Sequence, residues 1–345
     1  MSNNLYRVAI VGAAGLKGRE LKDVLSEHNF SAVDLKLLDD DESLGQLDSV
    51  GEEATFIQST RQENFDQVDF TFFTGEPGFT RQYWQAARKA GSAVIDLSYG
   101  LEQEPGVPIR APWVERELRV TPPADLALNA VAVAHPAAVV LALLLLRAQR
   151  AAPLSRVAAT VFEPVSERGR RGMDELHEQT VNLLSFQEMP KRVFDVQVAF
   201  NMVSQYGAHA VTPLAAVESR IAQHLAQITQ QKLRLPSLML VQSPIFHGHI
   251  FSVYLELERE VGLREFTRAF IGEHIALSQA EGEEPNNVNV AGQQDILLSV
   301  RADHTGQRKN AFWLWAAADN LKLNAITAVD CVAALLVTHS KGRVQ

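Results

Sequence analysis

An α/β fold is predicted for this chain: an N-terminal, doubly wound parallel sheet of Rossmann type, followed by an α+β domain built on a mixed sheet. Three observations predict it. A β-branched apolar run, Val8, Ile10 and Val11, leads directly into Gly12, Gly15 and Gly18 and then into helix-forming residues. Apolar runs and helical stretches then alternate as far as Arg150, as β-α-β units require. From Ala151 onward the strand-like runs lengthen, several alternate with period two, and fewer helical stretches separate them. That texture fits a mixed or antiparallel sheet with one covered face. A chain of 345 residues is long for one core, so two domains are expected.

The stretch Y-R-V-A-I-V-G-A-A-G-L-K-G-R-E-L, Tyr6 to Leu21, organises the first domain. A strand that turns on glycine into a helix leaves backbone amides unsatisfied at the positive end of the helix dipole, a seat for a pyrophosphate. The spacing is G-x-x-G-x-x-G, with Ala14 inside the turn, and the candidate dinucleotide-binding residues are Gly12, Ala14, Gly15, Leu16 and Gly18. The helix is expected over Lys17–Glu27 and the second strand over Ala32–Leu38. That strand ends in Asp39-Asp40-Asp41-Glu42, where such a fold holds the adenosine ribose hydroxyls; Asp39 and Asp40 are either that acidic anchor or a solvated turn. Further strands are expected at Val68–Thr74 and Ala93–Leu97, with a helix at Arg81–Ala90 between them.

Leu126 to Leu146 is apolar over about the length of a membrane span, but Asn129, His135 and Pro136 interrupt it. Pro136 divides it into a strand-like piece, Ala127–Ala134, and a helix-like piece, Ala137–Arg147. In the second domain, strands are expected at Val157–Val165, Phe194–Met202, Leu238–Phe246, His249–Glu258 and Ile296–Ala302. Helices are expected at Gly172–Leu184 and Pro213–Gln230, and the apolar run Asp319–Val337 closes the chain as a helix.

Composition bounds the function. The net charge of −9 argues against nucleic acid or an anionic membrane as the main partner. Met1–Asn4 is polar and leads straight into a strand, so no secretory signal is expected. A single cysteine, Cys331, excludes an internal disulfide framework and fits a reducing cytoplasm; the expected location is cytoplasmic.

The landmarks V-G-A-A-G-L-K-G, A-V-I-D-L-S, V-A-H-P-A-A-V-V, V-F-E-P-V-S, V-A-F-N-M-V, P-I-F-H-G-H and D-N-L-K-L-N-A stand in this order along the whole chain. In that order and spacing the chain resembles the aspartate-semialdehyde dehydrogenase family. The resemblance implies a dinucleotide-binding domain over residues 1–130 completed by 316–345, a catalytic and dimerisation domain over 131–315, and a homodimer. It also assigns Asn320, in the last landmark, to the cofactor. The family's chemistry runs through a thioester: a thiolate attacks an acyl phosphate, and hydride from the nicotinamide releases the aldehyde.

Several positions depart from the family pattern. The nucleophile motif P-N-C-S/T is matched by Pro136-Ala137-Ala138-Val139, which puts Ala138 at the thiol's place. The positioning glutamine is matched by Glu163, the carboxylate-binding arginine by Gln242 and the phosphate-binding arginine by Glu102. His249 stands where the family has its acid/base histidine, and it is either that group or a hydrogen-bonded histidine at a strand entrance. His247 and His249 have no third ligand at a suggestive spacing, so no metal is expected. Arg168, Arg170 and Arg171 form either an anion-binding or a solvated basic turn.

Three functions compete. One is a non-catalytic, dimeric binding or regulatory protein that associates with a true dehydrogenase or with a small acidic metabolite. Another is an oxidoreductase of altered chemistry, with Glu163 and His249 as catalytic acid/base residues. The third is the family reaction itself. If a dinucleotide binds, NAD is expected over NADP: Glu42 falls where the family's 2′-phosphate-binding arginine would stand, and Asp39 repels that phosphate.

Overall fold

The computed structural model describes residues 6–27, 32–40, 47–50, 53–120, 130–278, 282–304 and 308–338. The expectations placed on Asp41, Glu42 and Leu126 to Asn129 lie outside them. The chain divides into two compact units, Met1–Ala134 with Asn324–Gln345, and His135–Leu323.

The first unit opens with β1 (Tyr6–Val11), α1 (Leu16–Glu27) and β2 (Ala32–Asp39). It continues through β3 (Leu47–Val50), β4 (Glu53–Phe56), β5 (Gln58–Ser59), β6 (Phe70–Phe73), α2 (Pro77–Lys89), β7 (Ala93–Asp96), β8 (Ile109–Arg110), α3 (Pro112–Glu117) and β9 (Ala130–Val133). Its main sheet has the order β5-β2-β1-β6-β7-β9-β8, and every pair in it is parallel. Parallel strands are buried on both faces, which is why Val8 to Val11 are all apolar and Phe70 to Phe73 are apolar apart from the buried Thr71. The strand order turns outward in both directions from the β1–β6 pair, so the end of β1 lies at a switch point of the sheet.

The second unit begins with α4 (Pro136–Ala148), β10 (Leu154–Glu163), a 3₁₀ turn (Val165–Arg168), α5 (Gly169–Leu184) and α6 (Leu214–Ile228). There follow β11 (Ser237–Gln242), β12 (His249–Leu257), α7 (Leu263–Arg268), β13 (Ile275–Leu277), β14 (Ile296–Ala302) and β15 (Ala311–Ala318). The final helix, α8 (Asn320–Thr338), starts in this unit and runs on into residues of the first. The sheet order is β11-β10-β12-β15-β14-β13, with β10–β11 and β13–β14 parallel and the other pairs antiparallel. The architecture is therefore α/β, a parallel sheet followed by a mixed one.

Proline sets the break expected at Pro136. It stands at the first position of α4, and the His135 side chain accepts the Ala137 amide at 3.2 Å as the helix cap. Because α4 is buried on nearly every side, it is apolar all round. Among the described residues, no helix is long and apolar enough to cross a membrane.

Two strand expectations are corrected. Phe194–Met202 is irregular, because carboxylate and amide side chains of α5 take the amides that a sheet would need. Glu175 accepts Val193 N at 2.6 Å and Phe194 N at 3.3 Å, and Gln179 Oε1 accepts Val198 N at 2.8 Å and Ala199 N at 3.1 Å. Asp195 and Phe200 adopt positive φ of 53° and 55°, which breaks the extended run. The strand expected over Leu238–Phe246 ends at Gln242, whose amide pairs outside the sheet with the Val203 carbonyl at 2.9 Å.

Candidate functional site

In the first unit, the predicted dinucleotide residues gather at the end of β1. Gly12 has φ +89°, and a Cβ there would meet Gly75 N at 2.4 Å. A Cβ on Gly18 would meet Gly12 O at 2.5 Å, so the helix packs against the turn only because that residue is glycine. Gly12 N and Ala13 N both donate to Leu38 O, at 2.8 and 3.2 Å, which ties the turn to the end of β2. Asp39 then reaches back: its Oδ2 accepts the Ala14 amide at 2.8 Å and its Oδ1 accepts Asp40 N at 2.9 Å. Burial raises the pKa of Asp39, against the lowering effect of these two amides. Gly15, just before α1, and Leu16, which opens it, are partly exposed, and Asp40 is exposed to solvent. Nearby, Lys17 Nζ donates to Leu97 O at 3.0 Å and lies 4.2 Å from the Tyr99 ring centre.

Asn320 and the predicted acid/base residues belong to the second unit. There a polar cluster forms where β10, β11, β12 and the 3₁₀ turn meet. Glu163 closes β10 fully buried, with Oε1 accepting Arg168 Nη2 at 2.6 Å and Oε2 without a partner among the described residues. Burial outweighs the arginine and pushes the Glu163 pKa up to about 7. Burial also opposes the charge of Arg168, but Glu163, Tyr206 and Glu167 hold its pKa above the ordinary value. The guanidinium carbon lies 5.7 Å from the Tyr206 ring centre. A solvated basic turn thus holds for Arg170 and Arg171, which are exposed, and is corrected for Arg168, whose side chain is 10% exposed.

Gln242 is spent within the protein. Its Nε2 donates to Glu163 O and Ser243 O, each at 2.8 Å, and its Oε1 accepts the Tyr206 hydroxyl at 2.5 Å. Asn320 is spent likewise: Nδ2 donates to Glu167 Oε1 at 2.8 Å and to Ser166 Oγ at 3.1 Å, while Oδ1 accepts Gly248 N at 3.1 Å.

His249 begins β12 at 0% exposure. The β10–β12 register pairs Phe162 with Ile250, so the next step places Glu163 opposite His249. The expectation of a hydrogen-bonded histidine is corrected: neither ring nitrogen has a partner among the described residues. The imidazole packs instead against other rings, with the His135 and Phe251 ring centres each 5.8 Å away. Burial lowers its pKa to about 4, a pull that Glu167 only partly offsets. Ala138 sits in the first turn of α4, fully buried, with its amide donating to His135 O at 2.9 Å. Glu102 lies in the turn after β7, in the other unit.

Sequence reasoning missed Tyr206, Glu167 and His135. Tyr206 and Glu167 lie outside regular strands and helices, where periodicity says nothing. His135, placed just before Pro136, did carry a helix-cap signal. Among the described residues no group of three or more His, Cys, Asp or Glu could hold a metal ion.

Comparison with known proteins matches both units. Residues 143–323 match the model of the semialdehyde dehydrogenase dimerisation domain, and residues 7–120 match that of the semialdehyde dehydrogenase NAD-binding domain. An aspartate-semialdehyde dehydrogenase of Rickettsia bellii is 28% identical over 97% of this chain and 98% of its own length. A USG-1 protein homolog of Pseudomonas aeruginosa is 30% identical, covering 96% and 98%. A solved structure from Pseudomonas aeruginosa, of a probable aspartate-semialdehyde dehydrogenase, superimposes with a TM-score of 0.85 at 29% identity, over 97% of this chain and 99% of that one.

Proposed function

The chain belongs to the semialdehyde dehydrogenase family, and we propose that within it this protein is a dimeric, NAD-binding member that has given up the thioester reaction and acts by binding or regulation. The observation that carries this reading is Ala138. In the family's pattern a thiol opens this helix, and here a buried methyl group does. A methyl group can form no acyl-enzyme. The chain's one cysteine offers no substitute. Cys331 is buried in α8, and burial pushes its thiol pKa up to about 12, which leaves almost no thiolate at neutral pH.

The surrounding changes point the same way. The position matching the carboxylate-binding arginine is Gln242, and its amide is engaged by Tyr206 and by two backbone carbonyls. Asn320, matched to the cofactor, is engaged by Ser166, Glu167 and Gly248. In the first unit, the residues fit a dinucleotide: the orphan amides at the start of α1 suit a pyrophosphate, and the Asp39 carboxylate suits two ribose hydroxyls. A nicotinamide held there would supply a hydride acceptor or donor. The chain's own residues contribute the tight glycine turn and the carboxylate that selects the ribose.

The test is reduction of NAD or NADP with aspartate semialdehyde and phosphate, run beside calorimetric titration of both dinucleotides. Binding without turnover is the expected result. Turnover near the usual enzyme median of about 10 per second would refute the loss of activity.

A second reading has its own observation. Glu163 Oε2 and both nitrogens of His249 are buried without partners among the described residues, the state of an acid/base pair awaiting a substrate. It predicts an oxidoreductase of altered chemistry, in which Glu163→Gln and His249→Gln each abolish turnover of whatever substrate a dinucleotide-coupled screen finds.

A further inference from the structure

Ser166, His247 and Asp319 take no part in the function proposed above, yet they stand in line. Ser166 Oγ lies 3.3 Å from His247 Nδ1, and His247 Nε2 lies 2.9 Å from Asp319 Oδ1. The neighbouring hydrogen bonds fix the direction of the protons. Asn320 Oδ1 accepts the Gly248 amide, so its Nδ2 is the donor toward Glu167 and toward Ser166 Oγ. Ser166 Oγ is thereby an acceptor on that side. Its own proton has two acceptors at 3.3 Å, Asn320 Oδ1 and His247 Nδ1. An ionised carboxylate only accepts, so Nε2, facing Asp319, carries the ring proton, and in the neutral imidazole Nδ1 is the acceptor that faces the Ser166 hydroxyl.

Asp319 is built to stay ionised. It accepts the amides of Gly292 at 2.8 Å and Lys322 at 2.9 Å; burial pushes its pKa up, but these bonds and His247 outweigh burial, and the net shift is downward. Ser166 sits in the 3₁₀ turn, and α5 begins three residues later. Ser166 itself is 1% exposed, whereas the His247 side chain is 26% exposed and marks the side open to solvent.

We propose that Ser166, His247 and Asp319 form a nucleophile–base–carboxylate triad that carries out acyl transfer on small activated esters, independently of whether the family reaction is retained. Ser166 Oγ bonds to the acyl carbon while its proton passes to His247 Nδ1. The bond from that carbon to the leaving oxygen breaks, and the leaving oxygen takes the proton. Water then repeats the sequence, releasing the acid and restoring the serine. Asp319 keeps its charge throughout and steadies the imidazolium through Nε2, which makes it a positioning residue.

The experiment uses the full chain with 4-nitrophenyl acetate as substrate and diisopropyl fluorophosphate as probe, read by intact mass and peptide mapping. Hydrolysis above the buffer rate and one adduct, on Ser166, are expected. Ser166→Ala should lose both, and His247→Gln should lower the hydrolysis rate more than about a hundredfold. Asp319→Asn should lower kcat with KM unchanged, and Cys331→Ser should keep the wild-type rate. Circular dichroism establishes that each variant is folded. Since Ser166 and Asp319 hold the local hydrogen bonds, the partly exposed His247→Gln serves as the decisive variant if either of the others unfolds. No adduct on the wild type, an adduct on another residue, or an undiminished rate in folded His247→Gln overturns the proposal.

Discussion

His249 leaves two polar ring atoms buried without partners among the described residues, each of which costs free energy in the folded state. Its imidazole titrates near 6.5 when unfolded and at about 4 when folded, because burial disfavours the cation. Below pH 6.5 the unfolded chain therefore binds the extra proton, and stability falls as pH drops toward 4. The total loss is about 3 kcal/mol, since each tenfold change in proton affinity is worth about 1.36 kcal/mol. Glu163 works in the opposite sense: its raised pKa means that stability is lost as pH rises from 4.5 toward 7. The two trends overlap and mask each other. The difference between wild type and His249→Phe separates them. Urea unfolding should show wild type losing about 3 kcal/mol relative to that variant between pH 6.5 and 4. At neutral pH the variant should be the more stable by about 1–3 kcal/mol, since it removes the unpartnered atoms. A pH-independent difference would contradict this account. Asp39 makes a second prediction at this scale. Like charges about 4 Å apart cost roughly 4 kcal/mol at an effective dielectric near 20, before salt screening. Titration should give tighter binding of NAD than NADP, and Asp39→Ser should narrow the gap; tighter binding of NADP to the wild type would refute the role of Asp39.

Among the elements, the segment Phe194–Met202 carries the lesson. Its apolar alternation suits a strand, but Glu175 and Gln179, one turn apart on α5, satisfy its amides from the side. Gln179 is fully buried, and its Nε2 also donates to Pro190 O at 2.8 Å and Val196 O at 3.1 Å. Gln179→Ala removes these bonds together and leaves several buried backbone groups unpaired, at about 1–3 kcal/mol for each group that water does not reach. A loss of at least about 2 kcal/mol in urea unfolding is expected, with faster amide exchange at Val198 and Ala199. An unchanged exchange rate would show that the segment holds itself. The strand β15 escaped sequence reasoning for the opposite reason. In A-F-W-L-W-A-A-A, residues facing both ways are apolar, so no period-two signal marks it, although it pairs with both β12 and β14.

For the whole molecule, the second unit presents large apolar side chains to solvent: Phe186 is 97% exposed, Phe200 66% and Met239 55%. The matched dimerisation domain spans these residues. Light scattering at micromolar concentration should give twice the chain mass of 38.1 kDa, with an interface of roughly 2,000 Å² or more. A monomer would refute the homodimer.

The amino-acid order by itself determined the β-α-β alternation, the glycine turn, the break at Pro136 and the alanine at position 138 on which the proposed loss of the reaction rests. These follow from periodicity, from glycine and proline stereochemistry and from the identity of a single side chain, all of which act locally. It did not determine that His249 would be left without a partner, that Arg168 would fold inward onto Glu163, or that Ser166, His247 and Asp319 would meet. Those outcomes depend on which polar atoms are removed from water and which distant atoms then satisfy them. The tertiary structure decides that pairing, because the cost of a buried polar group is set by its neighbours in space and not by its neighbours in the chain.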